Sequence, residues 1–582
     1  MNKIFKVIWS KSKQCYIVVS EIAKNKTGKK KIVIASILAA LAMAGSMQSV
    51  EATIPEGSAT GTNAFAIGPQ SNANGDFGFA IGNNAKFNSG TLGFAIGVNS
   101  EAKSNQSIAI GYVSKAIGKN NGGGGDPALA VGAGANATAG GATAIGMVAN
   151  ASNAFATAIG KSAAASGDSS IAIGNSATIT APTTGTTLGG QDSIAMGNGA
   201  SANQHSSVSV GLGASSNGVR SVAIGPKASA TDEDTIAIGT GGVGADKNNQ
   251  AVGNNGGSVT QALNGISGVE LYYGAKSTGK QSIAIGYIAN AKDSGIAIGN
   301  YAVSDSGGGT AMGKSVISRN GGVVVGQSSN AIGQNSVAYG NTVKANGENS
   351  TAMGYSATAD GQNAVAVGYS NTASGKNSVS IGSTNQAKNE GSLALGRGNN
   401  ATNNNAVVIG RDSNASGNIS VAMGANATSK GTYDTAIGND VTADGDNSVA
   451  IGRSATTKSS SSLAIGTYGT KGTSATGAYS IAMGRDVTAS AESAIAIGKD
   501  AVSNKKDAVA LGSGSDTSSA ATVQSSTTIG GKTYSWTKGV LPPTDSDGRQ
   551  VSVGKTNFER QIKNVAAGEI SANSTDAING AQ

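Results

Sequence analysis

From Gly326 to Gly466 large, small and polar residues recur in a unit of 14 residues that closes on a glycine. The residue before each glycine is large and apolar (Val325, Tyr339, Met353, Val367, Ile381, Leu395, Ile409, Met423, Ile437, Ile451, Ile465). Three residues before it stands Val, Leu or Thr in most copies, as in Val337, Thr351, Leu393 and Val449, and Ala usually lies between the two. This alternation predicts a strand with branched side chains on one face and methyl groups on the other. Five residues after the glycine a small residue recurs (Ala359, Ala373, Ala387, Ala401, Ala415). Two further on comes a turn glycine (Gly361, Gly375, Gly417, Gly445) behind Asp or Ser. Each unit therefore predicts a strand, a tight turn, a short strand and a second tight turn. Gly340, Gly354, Gly368, Gly382, Gly396, Gly410, Gly424, Gly438, Gly452 and Gly466 set the register.

Fourteen residues are too few for a strand, a crossover helix and a returning strand. Successive units can only stack as coils of a parallel β-solenoid, an all-β rod. The large row, Ile451 among it, is expected inside the coil, with Arg453 outside. The flat row of Ala, Ser and Thr is then expected to pack against identical neighbours, which makes the chain an obligate oligomer. Register glycines from Gly68 to Gly512 number 29, and at the spacing of paired strands an uninterrupted rod is about 140 Å long.

The same pattern runs more loosely toward the N-terminus, beginning with Phe65-Ala66-Ile67-Gly68 and Phe79-Ala80-Ile81-Gly82. Insertions near Asn120 to Asp126 and Ile179 to Gly190 are expected to bulge as loops, and Thr240 to Lys280 carries no copy. The array resumes with Gly286 and ends at Gly512. This divides the chain into a leader (1–52), repeats (53–239), an excursion (240–280), further repeats (281–512), a connector (513–550) and a terminal segment (551–582).

Charge changes the picture once it is placed. The chain holds 41 Lys and Arg against 33 Asp and Glu; nine of those cations and two of those anions lie before Thr53. Beyond it the balance is near +1, so the mature chain offers no electrostatic footprint for nucleic acid. The leader has the layout of an export signal: a Lys-rich run to Lys31, an apolar core from Ile32 to Ala44, and small residues around Val50-Glu51-Ala52. Cleavage is expected between Ala52 and Thr53. The single cysteine, Cys15, leaves with it, so the mature chain has no thiol for a disulfide or a metal.

Units such as Asn447-Ser448-Val449-Ala450-Ile451-Gly452, at this spacing and behind a leader extended by Met1 to Asn25, resemble the YadA-like head of a trimeric autotransporter adhesin. The resemblance spans roughly residues 60–512. It implies a left-handed parallel β-roll, a homotrimer, type V secretion, and a place on the surface and outer membrane of a Gram-negative bacterium. It also implies adhesion to host extracellular matrix or cell-surface receptors, or to other bacteria in aggregates and biofilm.

Residues from Val551 to Gln582 resemble the neck that leads from such a head into a coiled-coil stalk. Thr556 and Glu559 have capping-box spacing, and Phe558, Ile562 and Val565 share one helical face, which predicts a short helix. The stalk and the C-terminal membrane anchor of the family are expected beyond Gln582, and membrane attachment would come only through that anchor.

Other chemistry is weakly encoded. Gly308-Gly309-Thr310-Ala311-Met312-Gly313-Lys314-Ser315 matches the phosphate-loop pattern letter for letter, but Gly313 is a register glycine and no helix is expected after it. His205 is the only histidine and is expected in a surface loop, which leaves no catalytic triad, no metal site and no cofactor. The nine-residue, Asp-bearing repeat of calcium-binding β-rolls is absent. An extracellular β-solenoid enzyme acting on polysaccharide is the alternative reading. It requires clustered carboxylates or cations in a groove, whereas here they are scattered. A phage tail fibre has no use for an export signal.

Overall fold

The computed structural model describes residues 5–10, 15–20, 57–119, 126–180, 189–239, 274–305, 307–467, 469–540, 548–571 and 573–582. The expected cleavage site at Ala52 and Thr53 lies outside them, as does most of 240–280. In the leader, Phe5–Ser10 and Cys15–Ser20 pair as an antiparallel hairpin.

From Ser58 onward each coil contributes one longer and one shorter strand to two parallel sheets. Val449–Ile451 pairs in register with Leu463–Ile465 of the next coil, and Thr442–Ala443 with Thr456–Thr457. The first sheet holds 29 such strands before Val551–Ser552 joins it, and the second holds 29. Across the insertions the ladder is unbroken: Ile108 pairs with Leu129, Ile171 with Ile194, and Ile236 with Ile283. After the third excursion the array resumes earlier than the glycine pattern signals. Lys276–Thr278 already pairs with Ser229–Ala230, because a short strand carries too few residues to announce itself.

The faces of the strands are the reverse of the sequence expectation. In the coil around Gly452 the fully buried residues are Ser448, Ala450, Ala455 and Thr457, while Val449 and Ile451 are only half-buried. The same exposure order repeats along the array, as in Ile171–Ile173 and Val365–Val367. Corner length explains it. The two sheets are joined by corners of a few residues, so they face each other across a gap that admits methyls and hydroxyls and leaves Ile and Val outside. Branched side chains enter only at scattered places such as Ile179, Val324 and Val408.

A narrow interior full of backbone puts a strict demand on polar groups. In many coils the buried Ser donates to the carbonyl of the preceding turn, as Ser378 Oγ does to Gly375 O at 2.7 Å and Ser420 Oγ to Gly417 O at 2.7 Å, whereas the Ser448 hydroxyl turns to Asp434 and Thr457. At one corner Asn371, Asn385 and Asn399 form a buried ladder. Each side-chain carbonyl accepts the backbone N–H of the residue 14 on, and the Asn385 amide donates to Ile381 O and Gly396 O at 2.8 and 2.7 Å. Asp434 takes the Ser position in its coil and, fully buried, accepts from the N–H of Gly431, Gly445 and Ser448 and from the Ser448 hydroxyl.

Of the expected register glycines, Gly340 to Gly438 are the penultimate residues of first-sheet strands and pair glycine to glycine along the ladder, while Gly452 and Gly466 directly follow their strands. Nine of the ten have φ between 116° and 144°. A Cβ on Gly368 would stand 2.0 Å from the carbonyl oxygen of Gly382, so both handedness and space demand glycine there. Gly466 is not in that conformation: the chain departs from it into the insertion before Ser474.

The expected neck helix is absent. Residues 555–582 contain no helix among those described; Lys555 and Phe558 form an isolated bridge, and Phe558 and Ile562 are exposed. A two-turn helix is marginal without a partner for its apolar face, and one chain supplies none to Phe558, Ile562 and Val565. Of the capping box, only a contact from Asn557 N–H to the Glu559 carboxylate is present. The Arg560 guanidinium instead closes the end of the stack, donating to Ser515 Oγ at 3.1 Å and to the carbonyls of Val553 and Ser513.

Candidate functional site

The surface the fold presents most extensively is the outer face of the first sheet. Its two central rows, the residues one and three before each register glycine, are apolar in most coils, with Thr at 143, 157, 310, 351 and 435, and are half-buried to exposed. Near its start the row turns aromatic: Phe79 stacks on Phe94 with centroids 5.0 Å apart, and Phe65 tilts against Phe79 at 6.1 Å. An exposed apolar strip of this length marks an interaction surface.

The strip has two polar margins. On one side the chain passes through a left-handed residue just before each strand, filled by Asn at 335, 349, 363, 377, 405 and 447. Their amides form an exposed ladder, with Asn363 donating to Asn377 at 2.9 Å. In several coils bulky residues replace Asn: Ile419 and Tyr433 sit in adjacent coils at φ 52° and 61°, 42% and 55% exposed. Phe77, Leu92, Phe155 and Tyr479 do the same elsewhere. Left-handed backbone is costly for such side chains, above all for β-branched Ile, and exposure brings no packing in return. Nothing in the periodicity announces these tips; their signal is an apolar residue where the repeat uses Asn.

The other margin is the residue after each register glycine. Here Tyr355 stacks on Tyr369 (5.4 Å, 6° between rings), and Tyr287 meets Tyr301, which stands one residue further into the corner of the next coil, edge to face at 5.5 Å. Burial, and then Tyr287, raises the Tyr301 phenol above its ordinary value. Arg397, Arg411, Arg453, Arg485 and Lys499 continue the row.

Two electrostatic clusters tie coils together. Arg220 reaches Asp234 at 2.6 Å and Glu233 at 2.7 Å, and Lys280, from beyond the long excursion, reaches Glu233 at 3.0 Å. Asp234, through its hydrogen bond to Arg220, and Glu233, chiefly through Lys280 and then Arg220, stay below the usual carboxylate range.

The second cluster is Asp486, whose side chain is only 4% exposed. Its carboxylate accepts the backbone N–H groups of Gly469, Thr470, Lys471 and Gly472 at 2.9 Å. The Lys471 N–H does most to hold it below the usual carboxylate range, against burial. A depressed folded value stabilises the loop above the unfolded carboxylate pKa of about 4, and that contribution fades as the pH falls further. Amides 470–472 are therefore expected to lose hydrogen-exchange protection between about pH 4 and 2 in excess of neighbouring coils. Asp486→Asn should expose them at neutral pH.

The remaining motifs do not assemble. Thr310–Lys314 of the phosphate-loop match is a strand, paired through Gly313 and Lys314 to Gly326 and Gln327. No helix follows to hold a phosphate. His205 accepts or shares a proton with Ser206 Oγ at 2.9 Å, and Asp192 stands 3.9 Å from its other nitrogen, beyond hydrogen-bond reach. Among the described residues no group of three or more His, Cys, Asp or Glu could hold a metal.

Comparison with known families identifies an extended signal peptide of the type V secretion system over residues 1–48. The YadA head domain repeat matches in fourteen overlapping or successive segments between residues 59 and 515, together more than half of the chain. No curated protein matches. Among solved structures, the C-terminal YadA-like domain of a Burkholderia pseudomallei protein is 44% identical over 16% of this chain and 39% of its own, with TM-score 0.12. The chain thus spans about two fifths of that protein's length. The collagen-binding domain of the Yersinia adhesin YadA is 20% identical over 53% of this chain and 83% of its own, with TM-score 0.10.

Proposed function

Because this chain belongs to the YadA head family of exported, non-enzymatic surface adhesins, we propose that it acts as a homotrimeric head binding host matrix proteins, host cells or other bacteria. Export to the outer membrane and an adhesin-type role follow from the family, and with them the polysaccharide-cleaving alternative falls. The observation that carries the trimer is the apolar strip of the first sheet. Alanine already fills the coil interior, so the Val and Ile rows have no partner within one chain, and three chains meeting on these rows give them one. The helix from Phe558 forms in that setting, when three stripes of Phe558, Ile562 and Val565 come together. Residues 53–239 and 281–512 serve as head, 513–550 as connector and 551–582 as neck.

Adhesion is assigned to the margins that stay outside the seam. The left-handed tips carry exposed Ile419, Tyr433, Phe155 and Phe77, repeated by three chains and many coils, so weak contacts multiply into avidity. Retention of the purified exported chain on immobilised collagen, fibronectin and laminin and on epithelial cells tests this reading. Binding to at least one, reduced by Ile419→Asn with Tyr433→Asn, is expected. A trimeric protein that bound none of them and did not aggregate bacteria would count against it.

A further inference from the structure

The margin after the register glycines holds a site of a different kind. Between Tyr355 and Arg411 one unbroken column, paired residue to residue, reads Tyr355, Tyr369, Ser383, Arg397, Arg411. It spans four coil steps, about 19 Å. Both tyrosines are half-exposed (50% and 54%) with parallel rings, and the two arginine side chains are 63% and 57% exposed. Elsewhere the column is mostly polar, with Asn341 and Asn439 in nearby coils. It therefore faces solvent, beside the apolar seam and not within it.

We propose that this column binds a sulfated polysaccharide laid along the rod. A pyranose presents a flat C–H face that packs on an aromatic surface with its hydroxyls still wet, which the Tyr355–Tyr369 platform provides. An Arg guanidinium offers two parallel donors to a sulfate edge, and two of them one coil apart match anions repeated along a chain. Asp412 selects the charge density. Its Oδ2 lies 3.4 Å from Arg397 Nη2 and 3.7 Å from Arg411 Nε, so an incoming anion competes with a carboxylate already in place. A polymer with several sulfates per repeat wins that competition; one with a single carboxylate does not. The inference rests on the trimeric surface reading, since the column must stay uncovered when chains associate.

The test is affinity of the purified exported chain for immobilised heparin, with dextran sulfate, hyaluronan and dextran as comparators. Light-scattering mass and matrix binding are read on the same samples, so failure of the column and failure of the trimeric adhesin reading are separable. Heparin and dextran sulfate should bind in a salt-dependent way, and hyaluronan and dextran should not. Arg397→Ser with Arg411→Ser should weaken heparin binding by about tenfold or more, Tyr355→Ser should weaken it less, and Asp412→Asn should strengthen it, all without change of mass. Absence of heparin binding, equal binding of hyaluronan, or indifference to the arginine pair overturns the proposal.

Discussion

Ala450→Asp is expected to unfold the coils around it, whereas Ile451→Asp, one residue further on, should leave them folded and part the chains. Ala450 is fully buried between Ala436 and Ala464 of the neighbouring coils, in a gap sized for methyl groups. A carboxylate there has no partner and no water, a situation that costs on the order of 3–5 kcal/mol, and it adds overpacking. Ile451 faces outward and is half-buried in one chain. Its replacement costs the coil itself only about 1 kcal/mol, but it sets three carboxylates into the proposed seam. Circular dichroism melts of the two variants, read with light scattering, check both halves; equal loss of folding in the two would mean the strand faces are wrong.

The second large effect concerns Phe87, the bulkiest fully buried side chain. It occupies the column of Ala73 and Ala102 in the second sheet. The space comes from glycines across the gap. A Cβ on Gly93 would fall 1.9 Å from the Phe87 ring, and one on Gly78 2.3 Å from it, at positions that Ala64 and Ser107 fill in flanking coils. Phe87→Ala should therefore open a cavity and cost about 3–5 kcal/mol, and Gly93→Ala should clash. The combination of Phe87→Ala with Gly78→Ala and Gly93→Ala should recover most of the stability, since it restores the methyl core of the other coils. Chemical denaturation of the three variants measures this coupling. Additive losses would deny that ring and glycines form one packing unit.

The solenoid was legible in the sequence because a parallel stack superimposes residue i on residue i+14, so every constraint recurs at one spacing. Periodicity of two showed that Val449 and Ile451 share a face and Ala450 the other. It could not show which face is inside, because that depends on the gap between sheets, and the gap is set by corners whose geometry the pattern does not encode. The usual preference for burying the larger side chain pointed the wrong way. Phe87 was hidden for a related reason: it breaks the small-residue rule, and only the paired loss of side chains at Gly78 and Gly93 signals that the break is compensated. The Phe558, Ile562 and Val565 stripe was readable as a helical face, yet a face is not a helix until something covers it. Asp486 and the Tyr355–Arg411 column appear only once coils are stacked, since each depends on neighbours 14 or more residues away, while the left-handed tips show in the sequence only as an apolar residue where the repeat uses Asn.

The central claim is that alanine fills each coil and the aliphatic rows join three of them. Light scattering of the exported chain beside a variant carrying Ile437→Glu, Ile451→Glu and Ile465→Glu tests it most directly. The expected result is three times the single-chain mass for the parent and one chain for the variant, with the β-sheet circular dichroism of both alike. A monomeric parent, or a variant that stays trimeric or loses its sheet signal, would contradict it.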